Sequence, residues 1–161
     1  MALFGRSPRA VTPLHGVDTV LADLDGVVYA GSGALPHAVE SLTRAAADGA
    51  RLGYITNNAS RTDADVASHL RGLGLLHTAP DDVVTSPQAA VRLLKTIVAP
   101  PAVSQSEGGE GLVTEGSRAG YTVTGSADDA PAAVGQGFSP DIAWTHLAEG
   151  AFALKLPEED G

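Results

Sequence analysis

Residues 17–36, VDTVLADLDGVVYAGSGALP, decide the fold. The first eight form a short apolar run with β-branched residues, long enough for a buried strand. The run then delivers two carboxylates, Asp23 and Asp25, and dissolves at once into glycines. Burying charge is expensive unless something pairs with it. Two acids one residue apart at a strand end therefore point to a cation, a proton-transfer task, or both.

Outward from this stretch the chain alternates. Pro36 falls where a first helical residue belongs, and Val39, Leu42, Ala45 and Ala46 then recur at helical spacing until Gly49 supplies a stop. RLGYI (51–55) reads as a second strand. Thr62 with Asp65 three residues on predicts a capped helix with Val66, Leu70 and Leu73 as its apolar stripe and Gly74 at its end. DDVVT (81–85) reads as a third strand, and Ser86-Pro87 opens a third helix that runs to about Lys95. Three strand–helix units in succession predict an α/β fold, a Rossmann-like parallel sheet with helices packed on it. Ligands of such sheets bind at the carboxyl ends of the strands. Asp23, Asp25 and Thr56 all fall there.

Beyond Ile97 the texture changes. VAPPAVSQSEGGEG is rich in Pro, Gly and Ser, which places a boundary near Pro100. GLVTEGSRAG then reads as a helix, YTVTG and AAVGQGF as extended pieces, and SPDIAWTHLAEGAFAL as a last helix. The expected organisation is a polar leader (1–16), the N-terminal part of a core (17–99), a second, partial α/β unit (100–154) and a divergent acidic tail (155–161).

Composition narrows the function classes. Ten Lys and Arg against nineteen Asp and Glu give a net charge of −9, which argues against nucleic acid or an anionic membrane as partner. Aromatic residues make up 4% of the chain, so Ala, Val and Leu must fill the core. The absence of cysteine excludes disulfides, thiolate nucleophiles and cysteine-based zinc sites, and fits the cytoplasm. No apolar run approaches the roughly 18 residues of a membrane span. The five histidines show no metal-ligand spacing, Arg61 reads as a solvated charge at a helix start, Trp144 as a packing residue and GGEG (108–111) as a turn before a helix.

The second cluster that can do chemistry is YITNNASRT (54–62). Thr56 lies 33 residues after Asp23, about one strand–helix–strand unit, so a parallel sheet puts the two at neighbouring strand tips. The hydroxyl of Thr56, the amides of Asn57 and Asn58 and the N–H groups entering the next helix suit an anion. The adjacent carboxylate pair suits a hard cation with oxygen ligands, Mg²⁺ above all. A cation site beside an anion site describes phosphoryl transfer.

DLDGVVYAG followed by TNNASRT closely resembles the first two motifs of the haloacid dehalogenase (HAD) superfamily, in its NagD-like branch of 4-nitrophenylphosphatase and phosphoglycolate phosphatase relatives. The resemblance covers residues 17–95 and continues more weakly through GGEGL, GFSPD and the final helix. It implies a Mg²⁺-dependent phosphatase acting on a small phosphorylated metabolite, with a homo-oligomer as a candidate assembly. Asp23 would be the nucleophile that forms an aspartyl-phosphate, and Asp25 the acid and then the base. Asp23 and the backbone carbonyl of Asp25 would hold the metal. Gly26 would permit the turn that brings the backbone close, Thr56 would hold a phosphoryl oxygen, and Asn57 and Asn58 would shape the entrance.

The chain also departs from that pattern. The family uses a lysine and a later acidic motif, whereas the lysines here, Lys95 and Lys155, stand in no matching context. Where relatives have an apolar strand before GGEGL, this chain has SQSE (104–107), which is not expected to pack as a buried strand. After AEGAFAL it turns to KLPEEDG. The pattern reads as a chain truncated within the cap, with an exposed sheet edge, an uncovered apolar face and weak catalysis. The rival expectations are a non-catalytic remnant that binds phosphate or a partner protein, and a signalling receiver domain. The receiver would not carry D-x-D followed by G-V-x-Y.

Overall fold

The computed structural model describes residues 13–155; the leader up to residue 12 and the tail from residue 156 lie outside the described residues. β1 (Thr19–Asp23) is followed by a hairpin of two-residue strands, β2 (Tyr29–Ala30) and β3 (Gly33–Ala34). Then come α1 (Ala38–Ala47), β4 (Arg51–Thr56), α2 (Asp63–Gly72), a 3-10 turn (Pro80–Asp82), β5 (Val83–Thr85) and α3 (Ser86–Ile97). The second half holds β6 (Val103–Glu107), α4 (Glu110–Arg118), β7 (Thr122–Thr124), β8 (Ala133–Gln136) and α5 (Trp144–Ala153).

β1, β4 and β5 form a parallel sheet in that order. Side chains alternate across it. Ala22, Tyr54 and Val83 point to one face and are buried with Val66, Ala67 and Leu70 of α2, while Val39 and Leu42 of α1 close over them. Leu24 and Leu70 are fully buried, each worth about 1.5–3 kcal/mol of transfer free energy. The opposite face presents Leu21, Ile55 and Val84, which are 65%, 43% and 41% exposed. Parallel sheets are normally covered on both faces, and among the described residues this one is covered on one.

Local signals explain most boundaries. Thr62 accepts the Asp65 N–H while the Asp65 carboxylate accepts the Thr62 N–H, closing the expected capping box of α2. Thr85 and Gln88 do the same for α3. Helix α1 begins later than Pro36 suggests. The Leu35 N–H is held by the Val28 carbonyl at 2.9 Å, and His37 caps the helix in the left-handed region at φ 66°.

The second sheet is also parallel, in the order β7-β6-β8. Its central strand is the polar segment that the sequence excludes from burial: Ser104, Gln105 and Glu107 are all buried in β6. Three features make this tolerable. Backbone ladders run to both neighbours. The Gln105 Nε2 donates to Glu107 Oε1 at 2.7 Å, so two polar side chains satisfy each other in part. The helices also close over the strand with glycines. A Cβ on Gly116 would meet Val123 at 2.9 Å above Ser104, and one on Gly150 would meet Glu107 Cγ at 3.6 Å. Trp144 overturns a second expectation: among the described residues it is 81% exposed. No helix among the described residues is long and apolar enough to cross a membrane.

Candidate active site

β1 ends at Asp23, and the chain then makes one tight turn. The Leu24 carbonyl accepts N–H bonds from Val27, Val28 and Tyr29 at 3.2, 2.9 and 3.2 Å. Leu24, Val28 and Tyr29 drive into the core, so Asp23, Asp25 and Gly26 are left on the outside of the turn. Gly26 has φ +79°, and a Cβ there would meet nothing within 4 Å. Its demand is therefore conformational rather than spatial. The Gly26 N–H donates to the Tyr29 carbonyl at 2.8 Å and locks the turn.

β4 delivers the second half of the site. Asp23 is the register partner of Ile55, so Thr56 lies one residue beyond Asp23 at the adjoining strand tip. Thr56 is buried, and its Oγ1 accepts the Asn58 N–H at 3.1 Å. That leaves its hydroxyl proton free to donate. Asn58 Oδ1 is engaged by Ser60, through the N–H at 2.9 Å and the hydroxyl at 2.7 Å. The Asn57 carbonyl accepts the Ser86 hydroxyl at 3.0 Å. The loop from Thr56 to Thr62 is thus folded by its own side chains. Asn57 is exposed above it, whereas Asn58 acts by shaping the loop, its oxygen being already in use.

The structure adds Tyr29 to this set. Burial pushes its phenol above the usual tyrosine range, and the negative field of Asp25 pushes it further, with Arg61 opposing and Asp23 adding. Both carboxylates and Arg61 are therefore felt at one buried ring, which also meets His69 edge to face at 4.8 Å. An aromatic residue in a chain with 4% aromatics is the signal that could have singled it out.

The donors at the strand tips are all oxygens, which is the chemistry a hard dication prefers. The Asp23 and Asp25 carboxylates are both exposed there. Among the described residues no group of three His, Cys, Asp or Glu side chains is arranged to hold a metal. Lys95 lies nine residues along α3 from Ser86, at the far end of that helix, and a rise of 1.5 Å per residue puts it about 14 Å from the strand tips.

The second unit roofs the loop. A Cβ on Gly109 would fall 3.0 Å from the Ala59 carbonyl oxygen and 3.2 Å from Ser60 Cα. One on Gly111 would fall 2.8 Å from Pro87 Cγ and 3.2 Å from the Arg61 carbonyl oxygen. The GGEG turn therefore lies backbone to backbone on the loop that follows Thr56. A cleft of about 610 Å³ opens at this turn, lined by Gly108, Gly109, Glu110, Val113, Thr114 and Ser139.

Residues 20–122 match the model of the haloacid dehalogenase-like hydrolase family. A D-glycerol 3-phosphate phosphatase of Mycobacterium tuberculosis is 41% identical over 138 residues, which are 86% of this chain and 38% of that protein. A glycerol-3-phosphate phosphatase of Gallus gallus is 42% identical over 118 residues, 73% of this chain and 37% of the relative. Among solved structures, the glycerol phosphate phosphatase of M. tuberculosis in complex with magnesium superposes with a TM-score of 0.80 at 40% identity, covering 87% of this chain and 42% of that one. NagD from E. coli K-12 superposes at 0.72 with 26% identity, covering 86% and 53%. The chain spans about two-fifths of the length of the glycerol phosphate phosphatases it matches.

Proposed function

Because this chain belongs to the haloacid dehalogenase-like hydrolases, we propose that its strand tips carry Mg²⁺-dependent hydrolysis of a small, hydroxylated organic phosphate. One observation supports the reading: Asp23 and Thr56 lie one register step apart at the same end of adjoining parallel strands. The glycerol phosphate phosphatases among the relatives act on glycerol phosphate, and the cleft at the GGEG turn suits a polyol, since Glu110, Thr114 and Ser139 offer it hydrogen-bonding groups.

In the first step an oxygen of Asp23 attacks phosphorus while the ester P–O bond breaks. Asp25 gives its proton to the leaving oxygen, and an aspartyl-phosphate results. In the second step Asp25 takes a proton from water, whose oxygen attacks phosphorus. The bond from phosphorus to Asp23 breaks, and inorganic phosphate leaves. Thr56 donates its hydroxyl to a phosphoryl oxygen throughout. The Asp23 carboxylate and the backbone carbonyl of Asp25 would hold the magnesium, which would offset the repulsion between an anionic nucleophile and an anionic phosphate.

The 161-residue chain assayed alone turns over slowly on this reading. Among the described residues no group of three His, Cys, Asp or Glu side chains is arranged to hold a metal, and Lys95 stands far from the tips. The same features favour a second reading, in which the chain binds phosphate without hydrolysing it. Assays with 4-nitrophenyl phosphate and Mg²⁺, beside phosphate binding, separate the two. Turnover lost in Asp23→Asn supports the hydrolase, binding without turnover supports the second reading, and neither result sinks both.

A further inference from the structure

Helix α4 carries the GGEG turn at one end and Arg118 at the other. The Arg118 Nη1 donates to Asp63 Oδ1 at 3.0 Å, across 55 residues of chain, and to Glu115 Oε1 at 2.6 Å. Asp63 is 8% exposed, at the first position of α2, seven residues after Thr56. Its two oxygens are fully committed: Oδ1 also accepts the Ala64 N–H at 2.8 Å, and Oδ2 accepts Gln88 Nε2 at 3.2 Å. One buried carboxylate thus ties together α2, α3 and α4. A buried acid held in this way is expensive to strip of its cation.

Besides packing on α3 and on its own sheet, α4 meets the Ala59–Asp63 segment at two places about eight residues apart, or about 12 Å along its axis. At one end the glycine backbone rests on Ala59, Ser60 and Arg61. At the other, Arg118 reaches the acid that begins the next helix after that same loop. A rod fixed at one point pivots, and a rod fixed at two does not. We propose that Asp63 and Arg118 are positioning residues, an ionic latch that holds the Gly108–Glu110 turn down on the Thr56–Thr62 loop. In this arrangement the organic half of a phosphate monoester is gripped by the turn, while its phosphoryl half is gripped by the strand tips. The substrate part of this inference rests on the proposed function; the latch itself does not.

The test has two arms. In hydrogen exchange, Arg118→Ala raises the rates of the Ala59–Arg61 and Gly111–Leu112 amides about fivefold or more, while Val66–Leu70 stay protected. Arg118→Lys restores most of the protection, because one donor atom makes both contacts. Unchanged rates in Arg118→Ala, or a uniform rise that includes Val66–Leu70, overturn the latch. In calorimetry with Mg²⁺, Arg118→Ala weakens binding of glycerol 3-phosphate about fivefold and of inorganic phosphate less than about twofold. Equal losses for the two probes overturn the positioning role. A wild-type chain that binds neither probe sinks the proposed function, and the exchange arm then decides the latch on its own.

Discussion

Thr56 and Thr85 end neighbouring parallel strands in direct register, and each turns its hydroxyl onto the chain that follows. Thr56 Oγ1 accepts the Asn58 N–H and shapes the loop, while Thr85 Oγ1 accepts the Gln88 N–H and caps α3. Both side chains are buried. Two residues of one type, side by side on one sheet, thus serve different ends because different backbones leave them.

Valine substitutions separate those ends. Each removes a hydrogen bond to a backbone donor and costs about 1 kcal/mol in urea unfolding. Thr56→Val also abolishes measurable phosphate binding, whereas Thr85→Val leaves it near wild type. Equal binding by the two variants would mean that Thr56 is a structural residue only.

Asp23 and Asp25 are exposed on the outside of their turn. Their amides, Asp23→Asn and Asp25→Asn, therefore change unfolding free energy by no more than about 0.5 kcal/mol. Any turnover of 4-nitrophenyl phosphate vanishes in the first and falls at least about a hundredfold in the second. A large loss of stability in either variant would point to a packing role for the pair.

Magnesium binding is read as a thermal shift. A ligand at a hundred times its dissociation constant stabilises the native state by about 2.7 kcal/mol. The melting temperature therefore rises with Mg²⁺ in the wild-type chain and stays flat in Asp23→Asn. A rise that survives the substitution would place the ion elsewhere.

The phenols of Tyr29 and Tyr54 give a pH dependence with a definite sign. Burial is the leading cause that raises both above the usual value of about 10. A folded-state pKa above the unfolded one means that the unfolded chain gives up its proton first. Their contribution is fully present below about pH 10 and is lost as pH rises through the folded values. Tyrosinate absorbance near 295 nm follows the titration. Asp25→Asn shifts the Tyr29 step toward lower pH, because the Asp25 charge helps hold it up; an unmoved step would separate the ring from the site.

Two glycines of ordinary φ make a matched pair. A methyl group on Gly111 would meet Pro87 and two carbonyl oxygens within 3.2 Å, while one on Gly125 would meet nothing within 4 Å. Gly111→Ala costs about 1–3 kcal/mol by overpacking, and Gly125→Ala is neutral or stabilising by up to about 1 kcal/mol. Denaturant midpoints at constant slope decide it, and equal effects would show that the turn does not rest on the loop.

Much of the first sheet was legible because its signals are local or fall at a fixed spacing. The 33-residue interval from Asp23 to Thr56 matches one strand–helix–strand unit, and the Thr62–Asp65 box marks where α2 starts. The same reasoning fails at residues 104–107. Polarity along the strand argues against burial, and what permits it lies elsewhere in the chain, at Gly116 and Gly150. Trp144 fails in the other direction, since a large apolar ring is buried only if a partner arrives, and among the described residues none does.

By itself the sequence determined the alternation of strands and helices, the family motifs, and the placing of Asp23 and Thr56 at the same end of adjoining parallel strands. Period, capping and turn chemistry act over a few residues, so they can be read in one dimension. Tertiary structure alone decided that a polar strand could be buried, that Tyr29 feels both acids, and that Arg118 reaches Asp63 across 55 residues. Those outcomes depend on which surfaces meet. Charge and volume balance only after distant segments have been brought within a few ångströms of each other.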